Sequence, residues 1–236
     1  MLPPHEQKQM HSSVAQLLYL STRVRPDILL PVNFLSTRVN KFDSSDKSKL
    51  TRVLRYLNDT KELGLVLKCP DAEKLQVITS ADASYGVHAD GKGQTGMLTS
   101  LGTGAISSST TKQKVVAKSS SEAELIASSD GVSHLIKINN YLQSRNYNVK
   151  QLSLMQDNLS TQSIIKNGVK SAKRMRHLNI RYLFIKQYVQ DHNIKVTYVK
   201  TNDMVADIFT KPLQGEQFLR LRDKALGLMP MYEESE

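Results

Sequence analysis

The chain has 236 residues, of which 39% are hydrophobic, and its formal net charge is +10. This length and apolar content suffice for one large core or two modest ones, and the positive charge favours a polyanionic partner such as nucleic acid. The one cysteine, Cys69, excludes a disulfide framework within the chain and a thiolate zinc site. The richest apolar stretch, Ile28 to Leu35, is short and interrupted by Pro31, so we expect no membrane span.

Helical spacing of apolar residues dominates the first seventy or so residues. One predicted helix carries Val14 and should end near Arg25, because a proline follows it. A second has apolar residues spaced over 50–57, with cap-forming residues at 44–46. The apolar stretch 28–39 is expected to pack against both.

Strand patterns begin after Gly64. Leu65 to Cys69 is predicted as a short strand, and the alternation that follows Lys74 predicts a strand ending at Asp82. A Gly- and Ser-rich segment then predicts two further strands joined by hairpins. The later predicted elements are a helix from Ser120 to Gln143, a strand from Leu152 to Gln156, helices from Ser160 to Lys166 and from His177 to Asp191, a strand from Ile194 to Lys200, and a closing helix that carries Asp207. This order is typical of a mixed α/β fold with one sheet covered by helices.

Four acids lie where strands end and helices begin, the positions from which a fold can gather ligands into one cleft. They are Asp82, Glu124, Asp157 and Asp207. Carboxylate oxygens suit Mg²⁺ or Mn²⁺, and two such ions can drive hydrolysis of a phosphodiester. Carboxylates so close together repel one another unless cations neutralise them. The pattern therefore predicts a site for two Mg²⁺ ions, with Mn²⁺ as a possible substitute.

Alone, each of these acids has an ordinary explanation in turn or helix-start chemistry. Capping rules nevertheless separate them from neighbouring acids. Glu122 fits the capping-box position of the long helix, which leaves Glu124 without a capping role. Asn202 or Asp203 is expected to cap the closing helix, which likewise leaves Asp207 free.

Five sequence blocks match one known pattern in order and spacing. They are ADASYGVH, STTKQKVVAKSSSEAELIA, QDNLSTQSI, KRMRHLNIRYLFI and NDMVADIFTKPLQG. Together they resemble the ribonuclease H domain of copia-type long-terminal-repeat retrotransposon Pol polyproteins, from Gln76 to about Gly227. The preceding residues are similar to the stretch that connects the reverse transcriptase to that nuclease. The resemblance thus points to the C-terminal part of such a polyprotein.

The resemblance implies a fold and a site. The fold is an α/β ribonuclease H-like mixed five-stranded sheet flanked by helices, preceded by a small, mainly helical N-terminal region. The implied domains are a connection region at 1–72, the ribonuclease H-like domain at 73–213, and a C-terminal helix with a flexible acidic tail at 214–236. The four metal-binding, catalytic acids of the family carry over to Asp82, Glu124, Asp157 and Asp207.

The implied activity is metal-dependent hydrolysis of the RNA strand of RNA–DNA hybrids, with the hybrid recognised through its shape and 2′-hydroxyls. The implied partners are the hybrid and a reverse transcriptase palm domain or polyprotein, with no membrane. An intracellular location follows, either cytoplasmic (in a virus-like particle) or nuclear. Two features depart from the pattern. No YxDD-like motif occurs, so we expect no polymerase activity, and no histidine lies between Ile194 and Asp207, so we expect slow turnover or help from another group.

A basic stretch follows the third acid: no Asp or Glu occurs from Asn158 to Gln190. A run of this kind is often only a solvated face, but its lack of balancing acids favours phosphate contacts. The predicted nucleic-acid contacts are Ser84, Lys112, Lys170, Lys173, Arg174 and Arg176.

Three alternatives stay open at this point. The chain could be a catalytically silent nucleic-acid-binding remnant, or a structural module of a reverse transcriptase. It could also be an integrase- or resolvase-like nuclease that cuts DNA, which the fourth acid disfavours.

Overall fold

The computed structural model describes residues 1–69, 73–167 and 176–232, with helix side chains described up to 165 and again from 180. The helices are α1 (Pro4–Arg23), α2 (Leu29–Ser36), α3 (Ser44–Asp59), α4 (Ser120–Ser144), α5 (Leu159–Asn167), α6 (Arg176–Asp191) and α7 (Gly215–Leu226). The strands are β1 (Gln76–Ser84), β2 (Gln94–Ser100), β3 (Ser107–Lys112), β4 (Gln151–Gln156) and β5 (Ile194–Tyr198). Short 3₁₀ turns lie at Pro26–Ile28, Thr201–Asp203 and Val205–Phe209.

The strands form one five-stranded sheet in the order β3-β2-β1-β4-β5. The first three strands pair antiparallel through hairpins, whereas β1 with β4 and β4 with β5 pair in parallel. Parallel strands need a crossover, and α4 supplies it between β3 and β4. The predicted mixed five-stranded sheet flanked by helices is therefore confirmed. Its topology brings the C-terminal ends of the central strands β1 and β4 to the same edge.

Helix α4 covers one face of the sheet and forms the largest apolar cluster with it. The approach is close at Gly131, where a Cβ atom would lie 3.1 Å from Cβ of Ala81 and 3.2 Å from Cδ1 of Leu154. Tyr182 of α6 belongs to the same cluster, and Phe184 packs against it. This packing holds the start of α4 beside the ends of β1 and β4.

The N-terminal helices have a core of their own and also pack on the sheet domain. Helix α3 begins with a capping box in which Asp43 and Asp46 each accept a hydrogen bond from the other's backbone N–H. Leu29 of α2 leaves this core and packs in a cluster with Ile208 and Phe209. The predicted helices of the first seventy residues are thus confirmed. None of the helices within the described ranges is long and apolar enough to cross a membrane.

Three expectations about local structure were wrong. Residues 65–69 do not form a strand of the sheet. Val66 N–H donates instead to the carbonyl of Leu226 at the end of α7, and strand-like pairing is limited to one bridge between Lys68 and Thr103. Strand β1 runs two residues beyond Asp82, because β2 pairs with it as far as Ser84.

The third expectation concerned the closing helix, which does not contain Asp207. The acid lies in the 3₁₀ turn Val205–Phe209, and α7 begins only at Gly215, beyond Pro212. A proline disfavours helical conformation at the preceding residue, so the turn cannot continue into α7. Asp203 has no capping bond and instead forms ion pairs with Arg220 and Lys224.

Candidate metal centre

Three aspartates meet at the edge of the sheet where β1 and β4 end. Asp82, Asp157 and Asp207 each place a carboxylate oxygen within 4.8 Å of the others. Strand pairing accounts for the first two: Ser80 is the partner of Met155, and continuing this parallel register by two residues sets Asp82 beside Asp157. Asp82 and Asp207 are each only 1% exposed, and Asp157 is half-buried.

Asp207 reaches the cluster because its 3₁₀ turn presses against the sheet. The register partner of Asp82 on β2 is Gly96. A Cβ atom at Gly96 would lie 2.8 Å from Cβ of Phe209 and 2.9 Å from the carbonyl oxygen of Ala206. Both distances are too short for a real side chain, so glycine at this position is what lets the turn approach Asp82.

Glu124 lies in the second turn of α4, next to the aspartates. Ser119 caps this helix, accepting from Glu122 N–H, while the carboxylate of Glu122 accepts from Lys118 N–H at 2.8 Å. This matches the structural role predicted for Glu122, although the reciprocal bond reaches one residue further back than in a standard capping box. Glu124 is 6% exposed, and its carboxylate accepts a hydrogen bond from Nε2 of Gln156 at 3.3 Å.

Burial and mutual repulsion raise the pKa values of Glu124, Asp157 and Asp207. Burial, followed by the charges of Asp82 and Asp157, raises the pKa of Glu124 to about 9. Burial and the charge of Asp82 raise the pKa of Asp207 to about 7 and also raise that of Asp157. Each carboxylate makes its neighbours harder to ionise, so the cluster favours protons or another cation.

Two residues that sequence reasoning missed complete the site. Nζ of Lys211 lies 2.8 Å from Oδ1 of Asp207 and 3.5 Å from Oδ1 of Asp82. The hydroxyl of Thr210 donates a short hydrogen bond to the other oxygen of Asp82. Lys211 follows Asp207 by four residues, a helical spacing that predicts an ion pair. Thr210 carries no comparable signal, because its contact spans 128 residues of sequence.

The predicted nucleic-acid contacts differ in their surroundings. Ser84 is 9% exposed and donates its hydroxyl to the carbonyl of Thr210 at 2.9 Å. Nζ of Lys112 lies 2.8 Å from Oδ2 of Asp90, near the end of β3. Lys170, Lys173 and Arg174 lie outside the described residues, as does the side chain of Arg176. All six stay predictions.

The donor set fits a hard divalent ion. Its three clustered ligands are all carboxylate oxygens, which suit Mg²⁺ or Mn²⁺ and not the softer metals that prefer thiolate or imidazole. Burial, followed by repulsion among the acids, raises the pKa values of Glu124, Asp157 and Asp207, and a bound cation would offset both effects. Asp82, Asp157 and Asp207 could therefore bind a metal ion.

Several solved structures are similar in shape. The N-terminal RNase H domain of rv2228c from Mycobacterium tuberculosis is 13% identical, with a TM-score of 0.44 over 58% of this chain and 91% of that one. RNase H1 from Halobacterium salinarum NRC-1 is 12% identical, with a TM-score of 0.45 over 57% of this chain and 94% of that one. The foamy viral protease-reverse transcriptase in complex with RNA/DNA hybrid is 16% identical, with a TM-score of 0.44 over 83% of this chain and 25% of that one.

No family model matches the chain. The Pol polyprotein of transposon TNT 1-94 from Nicotiana tabacum is 31% identical over 207 residues, 88% of this chain and 15% of that protein. Those of transposons RE1 and RE2 from Arabidopsis thaliana are 33% and 34% identical over 89% and 87% of this chain, in each case 14% of the relative. Over most of its own length, and over about 14 to 15% of theirs, the chain is a homologue of retrovirus-related Pol polyproteins from copia-type transposons.

Proposed function

We propose that the chain is a ribonuclease H that hydrolyses the RNA strand of RNA–DNA hybrids with the help of Mg²⁺. The observation that carries this proposal is the cluster of Asp82, Asp157 and Asp207 at the edge of a mixed five-stranded sheet. The homology to Pol polyproteins supports it, because a retroelement that copies RNA into DNA produces such hybrids. We propose two ions, held by the three aspartates with Glu124 at their side.

In this proposal, the protein's own residues bind the metal ions and hold the carboxylates in position. Bound Mg²⁺ would lower the pKa of a water nucleophile and stabilise the charge that develops on the leaving 3′-oxygen. The pairing of β1 with β4 places Asp82 beside Asp157, and the hydrogen bond from the hydroxyl of Thr210 orients the carboxylate of Asp82. Nε2 of Gln156 donates to Glu124 and also to the hydroxyl of Ser128 at 2.9 Å, which helps to hold Glu124 in place.

The hybrid is proposed to bind through its backbone. Ser84 lies two residues beyond Asp82 at the end of β1, Lys112 ends the edge strand β3, and the basic residues predicted at 170–176 follow in sequence the strand that leads to Asp157. Contacts of this kind grip phosphates and sugars without reading base sequence. Binding should therefore weaken steeply with added salt, as counterions compete for the phosphates.

One experiment tests the proposal directly. The purified protein is incubated with Mg²⁺ and end-labelled RNA–DNA hybrid, duplex DNA or duplex RNA, in parallel with the Asp157→Asn variant. We expect cleavage of the RNA strand of the hybrid alone, and its loss in the variant. Cleavage of duplex DNA would indicate an integrase- or resolvase-like nuclease instead. Hybrid binding without cleavage of any substrate would identify a catalytically silent remnant.

A further inference from the structure

The cation within the acidic cleft is part of the chain itself. The ammonium group of Lys211 lies 2.8 Å from Asp207 and 3.5 Å from Asp82, two of the three acids that could hold a metal ion. Its side chain is 34% exposed, whereas the carboxylates that it contacts are 1% exposed. Lys211 therefore lies between these two buried carboxylates and solvent.

The backbone keeps this lysine in place. Lys211 N–H donates to the carbonyl oxygen of Asp207 at 2.9 Å, so its Cα is tied to the turn that carries the acid. Pro212 follows and restricts the backbone further. The ammonium group, at the end of a flexible four-carbon stem, is free to leave the carboxylates while its Cα stays where it is.

An ammonium and a divalent ion compete for these oxygens. Both are attracted to Oδ1 of Asp207 and Oδ1 of Asp82, and two cations a few ångströms apart repel one another in a partly buried site. Four carboxyl groups face the cleft or flank it, and among the described residues Lys211 is the cation in ion-pair contact with them. The ammonium group contacts oxygens of only two of these carboxyl groups, so the cluster keeps further oxygens that a divalent ion can bind.

We infer that Lys211 is a built-in competitor for the metal site: its ammonium neutralises Asp82 and Asp207 until a divalent ion displaces it toward solvent. This inference rests on the proposed function and adds a regulation of the same site. It gives the protein a neutralised resting state and makes Mg²⁺ affinity weaker than the carboxylates alone would give. The displaced ammonium would then lie at the mouth of the cleft, where it can form an ion pair with a phosphate of the substrate.

Calorimetric titration of Mg²⁺ into the full chain tests the competition, with Lys211→Met removing the charge but keeping the stem. We expect the variant to bind Mg²⁺ at least about tenfold more tightly, because both the competitor and its repulsion are gone. In EDTA the same variant should unfold at a lower temperature than the unchanged protein, and saturating Mg²⁺ should raise its unfolding temperature more. Lys211→Arg, which keeps a cation, should bind Mg²⁺ close to the unchanged affinity.

Lys47→Met is the matched control, because Nζ of Lys47 also pairs with a carboxylate, Glu6, at 2.6 Å but in the N-terminal helices. It should leave Mg²⁺ affinity unchanged. Equal or weaker affinity in Lys211→Met, or affinity in Lys211→Arg as high as in Lys211→Met, overturns the inference alone. Absence of Mg²⁺ and Mn²⁺ binding to every form overturns the proposed function as well.

A measurement on the unchanged protein covers the case in which Lys211→Met fails to fold. The side-chain ammonium signal of Lys211, assigned by its loss in Lys211→Arg, is followed by NMR during a Mg²⁺ titration. We expect it to shift or broaden with the same midpoint as the calorimetric binding curve. A signal unaffected by saturating Mg²⁺ would show that the ammonium stays on the carboxylates, contrary to the inference.

Discussion

Two buried acidic sites in this molecule differ in how their charge is balanced. In the N-terminal helices, Asp27 is 4% exposed and accepts hydrogen bonds from Nη2 of Arg25 at 2.8 Å and from the hydroxyl of Tyr56 at 2.7 Å. Arg25 in turn donates to the carbonyl and hydroxyl oxygens of Thr60. At the sheet edge, the cluster around Asp82 has more carboxylates than cations among the described residues.

The difference separates a structural site from a functional one. Asp27 is paired with Arg25, and the remaining donors of Arg25 bind Thr60, so the charge of this site is balanced without a bound ion. Around Asp82, burial and then the charge of the neighbouring carboxylates raise the pKa values of Glu124 and Asp207, which makes folding of the ionised site harder. A fold tolerates such a cost where a bound cation repays it.

Asp82→Asn should give the largest effect, because it removes a proposed metal ligand from the acidic cluster. We expect cleavage of the hybrid to fall by more than about 100-fold, since changes that only support metal ligands already cost about 10- to 100-fold. The free energy of unfolding in EDTA should instead rise by about 1 kcal/mol, within the range of stabilising substitutions, because the repulsion falls. Cleavage assays and urea unfolding measure the two effects. Lower stability together with lower activity would mean that Asp82 is mainly structural.

Asp27→Asn should act in the opposite sense. It leaves Arg25 buried with a weakened partner, so we expect a loss of about 3–5 kcal/mol in the free energy of unfolding. Mg²⁺ affinity, measured by calorimetry below the unfolding transition, should stay unchanged. The double variant Arg25→Met, Asp27→Leu should recover most of that stability, because it leaves no unpaired charge. A double variant as unstable as Asp27→Asn would contradict this account.

The sequence was sufficient to predict the elements of the sheet, because period-two and period-3.6 patterns depend on residues close in the chain. It also predicted that Asp82 and Asp157 meet, because two neighbouring strands end at them, and that Glu122 and not Glu124 has the capping role, although Glu124 lies outside the cluster of three aspartates. The 3₁₀ turn at Asp207 could not be read in this way. Its shape depends on packing against Gly96, more than a hundred residues away in sequence.

The contact between Thr210 and Asp82 likewise could not be predicted from sequence, because 128 residues separate the two. Removing the hydroxyl of Thr210 should have a smaller effect than removing a metal ligand. In Thr210→Val the carboxylate of Asp82 loses a hydrogen bond that orients it. We expect Mg²⁺ affinity to fall about tenfold, the lower end of what supporting groups contribute. Calorimetry checks this, with Thr51→Val as the control, because Thr51 donates to a helix carbonyl on the exposed face of α3. Unchanged affinity would show that the sheet alone orients Asp82.

The smallest expected effect is on the pH dependence of stability, which should differ between the acidic cluster and the site around Asp27. The pKa of Asp207 is raised to about 7 and that of Glu124 to about 9, whereas unfolded carboxyl groups release their protons near about pH 4. The folded state therefore binds more protons than the unfolded state between these values. The stabilisation from these groups is complete below the unfolded pKa and is lost as the pH rises through about 7 and then about 9.

Thermal unfolding in EDTA should accordingly shift to lower temperature as the pH rises from about 5 to about 9, while Mg²⁺ affinity should increase over the same range because ligands must lose their protons. Asp82→Asn removes the charge that, after burial, raises both pKa values, so it should make the stability profile less steep. Asp27→Asn should lower the profile without changing its slope in this range, because the pair that it breaks lies apart from the acidic cluster. Parallel profiles for the unchanged protein and Asp82→Asn would show that the charge of Asp82 does not raise these pKa values, contrary to the comparison with the site around Asp27.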